Sequence, residues 1–216
     1  MVKLLAVLGD YYHPEEWAKE SLEHALQSLS SVENIQIDYC GYDSLQAALT
    51  QQPDGVILFK ENRLNPTDEI VEEWMTDEMA SNIASYVKNG GGWLAWHSGL
   101  ASYPENGSYT KMLKGYFLHH PNQHQVVQYT LHESEINLRT NSFAVLDEHY
   151  FVHCDEEGTN IFLTAESIDG HAIAGWSHPY GDGRVCCLTP SHNKEGLLNT
   201  DFINLLASCV NWIISR

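Results

Sequence analysis

The stretch Gly90-Gly91-Gly92-Trp93-Leu94-Ala95-Trp96-His97-Ser98-Gly99 reads as a glycine turn, a short buried strand and an abrupt second turn with His97 at its tip. A sharp turn at the end of a strand lifts one side chain above the carboxyl edge of an α/β sheet, where such enzymes do their chemistry. Elbows that carry a Ser or Cys nucleophile have a glycine two residues to either side. Here Ala95 and Gly99 flank a histidine, so the turn is kept and the nucleophile is replaced by an imidazole.

Outward from this stretch, the first hundred residues alternate strand and helix. Lys3 to Leu8 is an apolar strand, and after Pro14-Glu15-Glu16 the residues Trp17, Leu22, Ala25, Leu26 and Leu29 recur at helical spacing. Ile35, Ile37 and Tyr39 alternate as a strand, Ser44 to Thr50 forms a short helix, and Gly55 to Phe59 is a further buried strand. Ile70, Trp74, Met79, Ile83 and Val87 predict a long helix from about Asp68 to Lys88, stopped by the glycine triplet. This order predicts a parallel sheet with helices on both faces. From Gln125 onward short strand-like runs dominate: Val126 to Leu131, Phe143 to Leu146, Asn160 to Ala165, Ala172 to Trp176 and Arg184 to Leu188. They are read as extra strands on the same core, closed by an amphipathic helix from about Asp201 to Ile214. With 216 residues, 43% of them hydrophobic, and no repeat or linker, one α/β domain over residues 1–216 is expected.

Composition narrows the function. Eleven basic against 29 acidic residues give a net charge of −18, which repels phosphate backbones and anionic membrane surfaces, so nucleic acid and membranes are not expected partners. Five scattered cysteines without a Cys-x-x-Cys pair suggest neither a disulfide framework nor a thiolate zinc site, and point to a reducing, cytoplasmic compartment. Gly9-Asp10 cuts the first apolar run too short for a signal peptide, and no run of about 18 apolar residues is present. The first strand is followed by Gly9-Asp10-Tyr11-Tyr12-His13 and not by a Gly-x-Gly-x-x-Gly fingerprint, so direct hydride transfer with NAD is not expected.

The 12 histidines are the anomaly, and most fall in the second half near glycines, aromatics and carboxylates, a pattern suited to acid/base work or metal ligation. In His119-His120-Pro121 the backbone is extended, so one of the pair enters a site, and His120 is preferred. Asp147-Glu148-His149-Tyr150 follows a strand; alternation puts Glu148 and Tyr150 on one face, Asp147 and His149 on the other. Trp96 and Trp176 carry flat apolar faces suited to sugar rings or to the core. Trp176 to Arg184 reads as strand, glycine hairpin, strand, with Arg184 either binding an anion or pairing with surface acids. Leu188-Thr189-Pro190-Ser191-His192 runs from a strand into a loop ending in a second catalytic candidate.

Together the glycine triplet with His97, Gly115, Phe117 and His120-Pro121, Asp147-Glu148 with Tyr150, Trp176 with Tyr180-Gly181, Gly183-Arg184-Val185 and His192 resemble the ThuA-like family, named for trehalose utilisation. The resemblance implies a three-layer, flavodoxin-like fold akin to class I glutamine amidotransferases. It puts His97 where that fold carries its cysteine nucleophile and His192 near the place of its catalytic histidine, so a glutaminase is ruled out for want of the thiol. It implies a role with trehalose-related disaccharides or their keto derivatives, beside a partner dehydrogenase. On this reading His97, Glu148 and His192 are the catalytic groups, and Trp96, His120, Tyr150, Trp176, Tyr180 and Arg184 contact the sugar. A metal-assisted version places a divalent ion such as zinc on His97, His120, Glu148 and His192. Two other classes remain open: a non-catalytic sugar-binding or sensor protein, and a subunit of a homo-oligomer.

Overall fold

The computed structural model describes residues 1–29 and 34–215. Strands β1 (Val2–Leu8), β2 (Ile35–Tyr39), β3 (Gly55–Phe59) and β4 (Gly92–Trp96) alternate with helices α1 (Glu15–Leu29), α2 (Leu45–Leu49) and α3 (Asp77–Lys88). A short 3-10 turn, His97–Leu100, leads to α4 (Ser108–Leu113). The second half carries β5 (Gly115–His119), β6 (Gln125–Leu131), β7 (Phe143–Asp147), β8 (Phe151–Cys154), β9 (Asn160–Ser167), β10 (Gly170–Tyr180) and β11 (Gly183–Leu188), then α5 (Lys194–Leu197) and α6 (Thr200–Ile214). Nine strands form one sheet in the order β2-β1-β3-β4-β11-β10-β9-β6-β7. The pairs from β2 through β11 are parallel and those from β11 through β7 antiparallel.

Strands β1, β3, β4 and β11 are apolar without alternation because both of their faces are covered. Leu4, Ala6, Ile57, Phe59, Leu94, Trp96 and Leu188 face α1 and α6. Leu5, Val7, Val56, Leu58, Trp93, Ala95 and Cys187 face α2, α3 and α4. The result is the three-layer α/β fold that the sequence predicts, with added antiparallel strands. No helix is long and apolar enough to cross a membrane among the described residues.

Three local expectations need correction. The helix read from Asp68 starts only at Asp77, because Thr76 caps it by accepting from the Met79 amide (3.1 Å). Ahead of it, the Asn65 side chain bonds Glu72 N, Asp68 Oδ2 and Ile70 O, holding a loop that leaves Ile70 exposed. Strands β5 and β8, which the sequence reading does not anticipate, pair in a separate two-stranded sheet. Strand β10 runs past Trp176 to Tyr180.

The register positions the site. Leu8 pairs with Phe59, Leu58 with Ala95 and Leu188 with Trp96, so β1, β3, β4 and β11 release their next residues side by side at one edge. Strand β7 runs in the same sense and delivers Asp147 there, while its neighbour β6 begins there at Gln125.

His178 on β10 is a structural histidine. Its Nε2–H donates to the Met112 carbonyl (2.9 Å), its Nδ1 has no partner, and burial pushes its pKa from 6.5 down to about 4 despite that bond. The unfolded chain therefore takes up this proton first, and stability is lost as pH falls from about 6.5 to about 4, by roughly 3 kcal/mol for that difference. His178→Gln keeps a donor for Met112 and removes the titration. Chemical denaturation across this range should show a flatter stability curve for the variant than for the wild type; parallel curves would contradict the assignment.

Candidate functional site

At the carboxyl edge of the sheet the chain leaves β1 through Gly9 (φ +84°), where a Cβ would meet Glu15 at 2.7 Å. Asp10 follows and organises this corner. Its carboxylate accepts from the amides of Tyr12 (3.0 Å), His13 (3.1 Å) and Glu61 (3.0 Å), and from the His13 ring Nδ1 (2.6 Å). Burial works against its charge, but the bonds to His13 and the Glu61 amide outweigh it and bring its pKa to about 2.

At the end of β4, His97 adopts φ +47°, a left-handed conformation that side chains other than glycine rarely take. Gly99 makes the turn possible, since a Cβ there would lie 2.3 Å from the Leu58 carbonyl oxygen. The His97 side chain is fully buried. Its Nδ1–H donates to the Thr189 carbonyl beyond β11 (2.6 Å), because a carbonyl only accepts; its Nε2 then presents a lone pair. That Nε2 makes no hydrogen bond and lies 3.5 Å from Glu148 Oε2. Burial pushes the His97 pKa down, so the imidazole is neutral at neutral pH.

His192 comes from the loop after β11 and repeats the pattern. Its Nδ1 bonds Asp147 Oδ1, and its backbone amide donates to Asp147 Oδ2 (3.1 Å). Its Nε2 faces Glu148 Oε1 at 3.9 Å. Burial disfavours the imidazolium, yet the Asp147 carboxylate wins and raises the His192 pKa. His120 donates from Nδ1 to the Pro121 carbonyl (2.9 Å) and turns Nε2 toward Glu148 Oε1 (3.7 Å). Glu148 is thus the hub on which His97, His120 and His192 converge. Tyr150 stacks on His97 with ring centroids 4.0 Å apart, and Phe117 lies 4.5 Å from Tyr150, walling one side. The mouth lies past Glu148 and His192, whose side chains are 15% and 16% exposed, and His120 at 34% forms its rim.

The structure therefore brings His97, Glu148, His192, His120 and Tyr150 together. The alternation read for residues 147–150 is only partly kept. His149 turns away to Ser167 (2.7 Å) and Phe151, whereas Asp147 joins the site through His192. Trp96 does not reach the mouth: it is buried between Phe59 and Phe202, and its Nε1 donates to Pro190 O (3.0 Å). Trp176 is equally buried, with Nε1 on Leu113 O (2.8 Å). Tyr180 and Arg184 stand at the opposite, amino edge of β11, where Arg184 donates to the Trp212 carbonyl (2.9 Å) and covers the Trp212 ring. A groove of about 820 Å³ opens there, lined by Arg184, Tyr86 and Asp182, but it holds no cluster of acid/base groups. Asp10, His13 and Asp147 are the site residues that sequence reasoning did not nominate. The first two lie on the loop that leaves the buried strand β1, as His97 lies on the turn that leaves β4.

Fold and site together define a class: a three-layer α/β protein whose strand-end elbow carries a histidine facing a carboxylate. The ThuA family profile, described as trehalose utilisation, matches residues 11–213, and the chain belongs to that family. Among solved structures it is similar to a ThuA-like protein from Parabacteroides merdae, with TM-score 0.75, 14% identity, and coverage of 99% of this chain and 90% of that one. A ThuA-like protein from Bacteroides uniformis gives 0.71, 16%, and 100% against 92%. A cytoplasmic protein from Salmonella typhimurium LT2 gives 0.64, 18%, and 100% of both chains. At these identities the likeness concerns the fold. No curated protein matches significantly by sequence.

The elbow geometry is testable through Gly99. Gly99→Ala should cost about 1–3 kcal/mol of stability, because a backbone carbonyl must move to admit the methyl. Urea denaturation showing a loss of less than about 0.5 kcal/mol would contradict the close approach.

Proposed function

We propose that this protein is an enzyme of carbohydrate metabolism that acts on a trehalose-related disaccharide or its keto derivative by histidine and carboxylate acid/base chemistry. The observation that carries the reading is the His192–Asp147 pair, whose free Nε2 faces Glu148 at the mouth of the cleft. A carboxylate behind an imidazole fixes its tautomer and supports its cation, so His192 takes a proton from the substrate and gives it back at a later step. Glu148 orients a hydroxyl or serves as the second acid/base group, and His97 offers a neutral acceptor.

Charge supports a neutral sugar. Glu148 stands at the mouth with the buried carboxylates of Asp10 and Asp147 behind it, and the chain carries −18 overall, so a sugar phosphate would be repelled. Tyr11 and Tyr12, exposed beside His13 on the same loop, offer ring faces of the kind that stack on sugars. A keto-sugar has to be made by oxidising a hydroxyl. This chain lacks the glycine fingerprint for NAD, so a separate dehydrogenase supplies that step. The free cysteines fit work in the cytoplasm. The alternative is a sugar-binding or sensor protein that uses the same cleft without turnover.

The test is to incubate the protein with trehalose, related disaccharides and their 3-keto forms and to follow products by NMR. The wild type should turn over one of them. His192→Gln should lower kcat by about 10²- to 10⁴-fold with substrate affinity changed only a few fold. A sugar that raises the melting temperature but yields no product at high protein concentration would favour the binding protein.

A further inference from the structure

The two sides of Glu148 are not alike. Oε1 faces His120 and His192 near the mouth, whereas Oε2 faces the buried His97. On that inner side stands His13, nearly buried, with its ring 5.1 Å from the His97 ring. His13 gives its Nδ1–H to Asp10 (2.6 Å) and His97 gives its own to the Thr189 carbonyl (2.6 Å). With Nδ1 so committed, each ring in its neutral form presents a lone pair at Nε2. One ligand atom each from His13, His97 and Glu148 lie within 4.8 Å of one another.

A fully buried imidazole nitrogen without a hydrogen bond, facing a carboxylate and a second imidazole nitrogen, is unfavourable unless something positive stands between them. His97 Nε2 is the clearest sign: it is fully buried, aimed at the carboxylate and without a hydrogen bond. Its 3.5 Å separation from Glu148 Oε2 matches two ligands each about 2.1 Å from one ion at a tetrahedral angle, roughly 3.4 Å apart. Metal-bound histidines characteristically give their other N–H to a carboxylate or a backbone carbonyl, and Asp10 and Thr189 supply one of each.

We propose that His13, His97 and Glu148 bind one divalent first-row transition-metal ion. Two neutral imidazoles and one carboxylate suit zinc, and three protein ligands leave a position open toward the cleft for water or a substrate oxygen. His192 and His120, on the outer oxygen, lie outside the ligand set. The four-residue set His97, His120, Glu148 and His192 expected from the sequence thus changes, with His13 entering. A second grouping, His124, Glu148 and His192, also lies within 4.8 Å, but its His124 is exposed, whereas His13 and His97 are buried. The metal site does not depend on which sugar is used, because it is read from binding alone.

The experiment titrates Zn²⁺ by calorimetry into untagged protein stripped with chelator. The expected result is one equivalent bound and a raised melting temperature, with affinity at least tenfold weaker in His13→Gln and in Glu148→Gln. His171→Ala, on the exposed surface of β10, should bind as the wild type does. No saturable binding, or binding that survives His13→Gln and is lost in His124→Ala, would overturn the proposal. A second measurement needs no variant. Co²⁺ added to the wild type should give the visible bands of a low-coordinate nitrogen and oxygen site, abolished by one equivalent of Zn²⁺; a spectrum like that of Co²⁺ in buffer would overturn it too.

Discussion

The hydrogen bond from His97 Nδ1 to the Thr189 carbonyl ties the ends of β4 and β11 together and sets everything else in the cleft. It holds a fully buried imidazole in a left-handed backbone conformation and commits its other nitrogen to the role of acceptor. That arrangement has a cost. A non-glycine residue with positive φ is worth about 1–3 kcal/mol of strain, and an unpartnered buried nitrogen adds a penalty of similar size. Local penalties of this kind persist where packing over-determines them. The neighbours here are Gly99 against the Leu58 carbonyl, and Tyr150 stacked across the ring.

The same device recurs around the cleft. His13, His192 and His120 each use Nδ1 on an oxygen, from Asp10, Asp147 and Pro121 respectively. Four imidazoles from four separate loops have one nitrogen fixed, and Glu148 is the carboxylate they surround. His192 on the outer oxygen is suited to moving protons, and His13 and His97 on the inner side to holding a cation. On the proposed reading, partner and burial set a different task for each histidine.

Much of the fold is legible in the sequence because β1, β3, β4 and β11 are short apolar runs between turn residues, and strand-helix alternation leaves few topologies. The long helix from Asp68 misleads because Ile70 and Trp74 mimic helical spacing, while the deciding feature is the Asn65 side chain bridging a loop. The strand-end rule finds His97, Glu148 and His192. It could equally have found Asp10 and His13, which follow β1, but 12 histidines cannot be sorted without knowing which strand ends are neighbours. Trp96 and Arg184 show the limit of reading residue type alone. Trp96 is the last residue of β4 and points into the core against Phe202, and Arg184 begins β11 at the far edge. The face its side chain takes separates Trp96 from the site, and strand polarity separates Arg184.

The central claim is that His13, His97 and His192 are all held as Nδ1–H tautomers with Nε2 free. Long-range ¹H–¹⁵N correlation of the histidine side chains in metal-stripped protein at mildly alkaline pH reads this directly. The account predicts a protonated Nδ1 and a bare Nε2 for all three rings, with His97 assigned through His97→Gln. An Nε2–H tautomer at His97 would remove the lone pair on which the site is built and would contradict it.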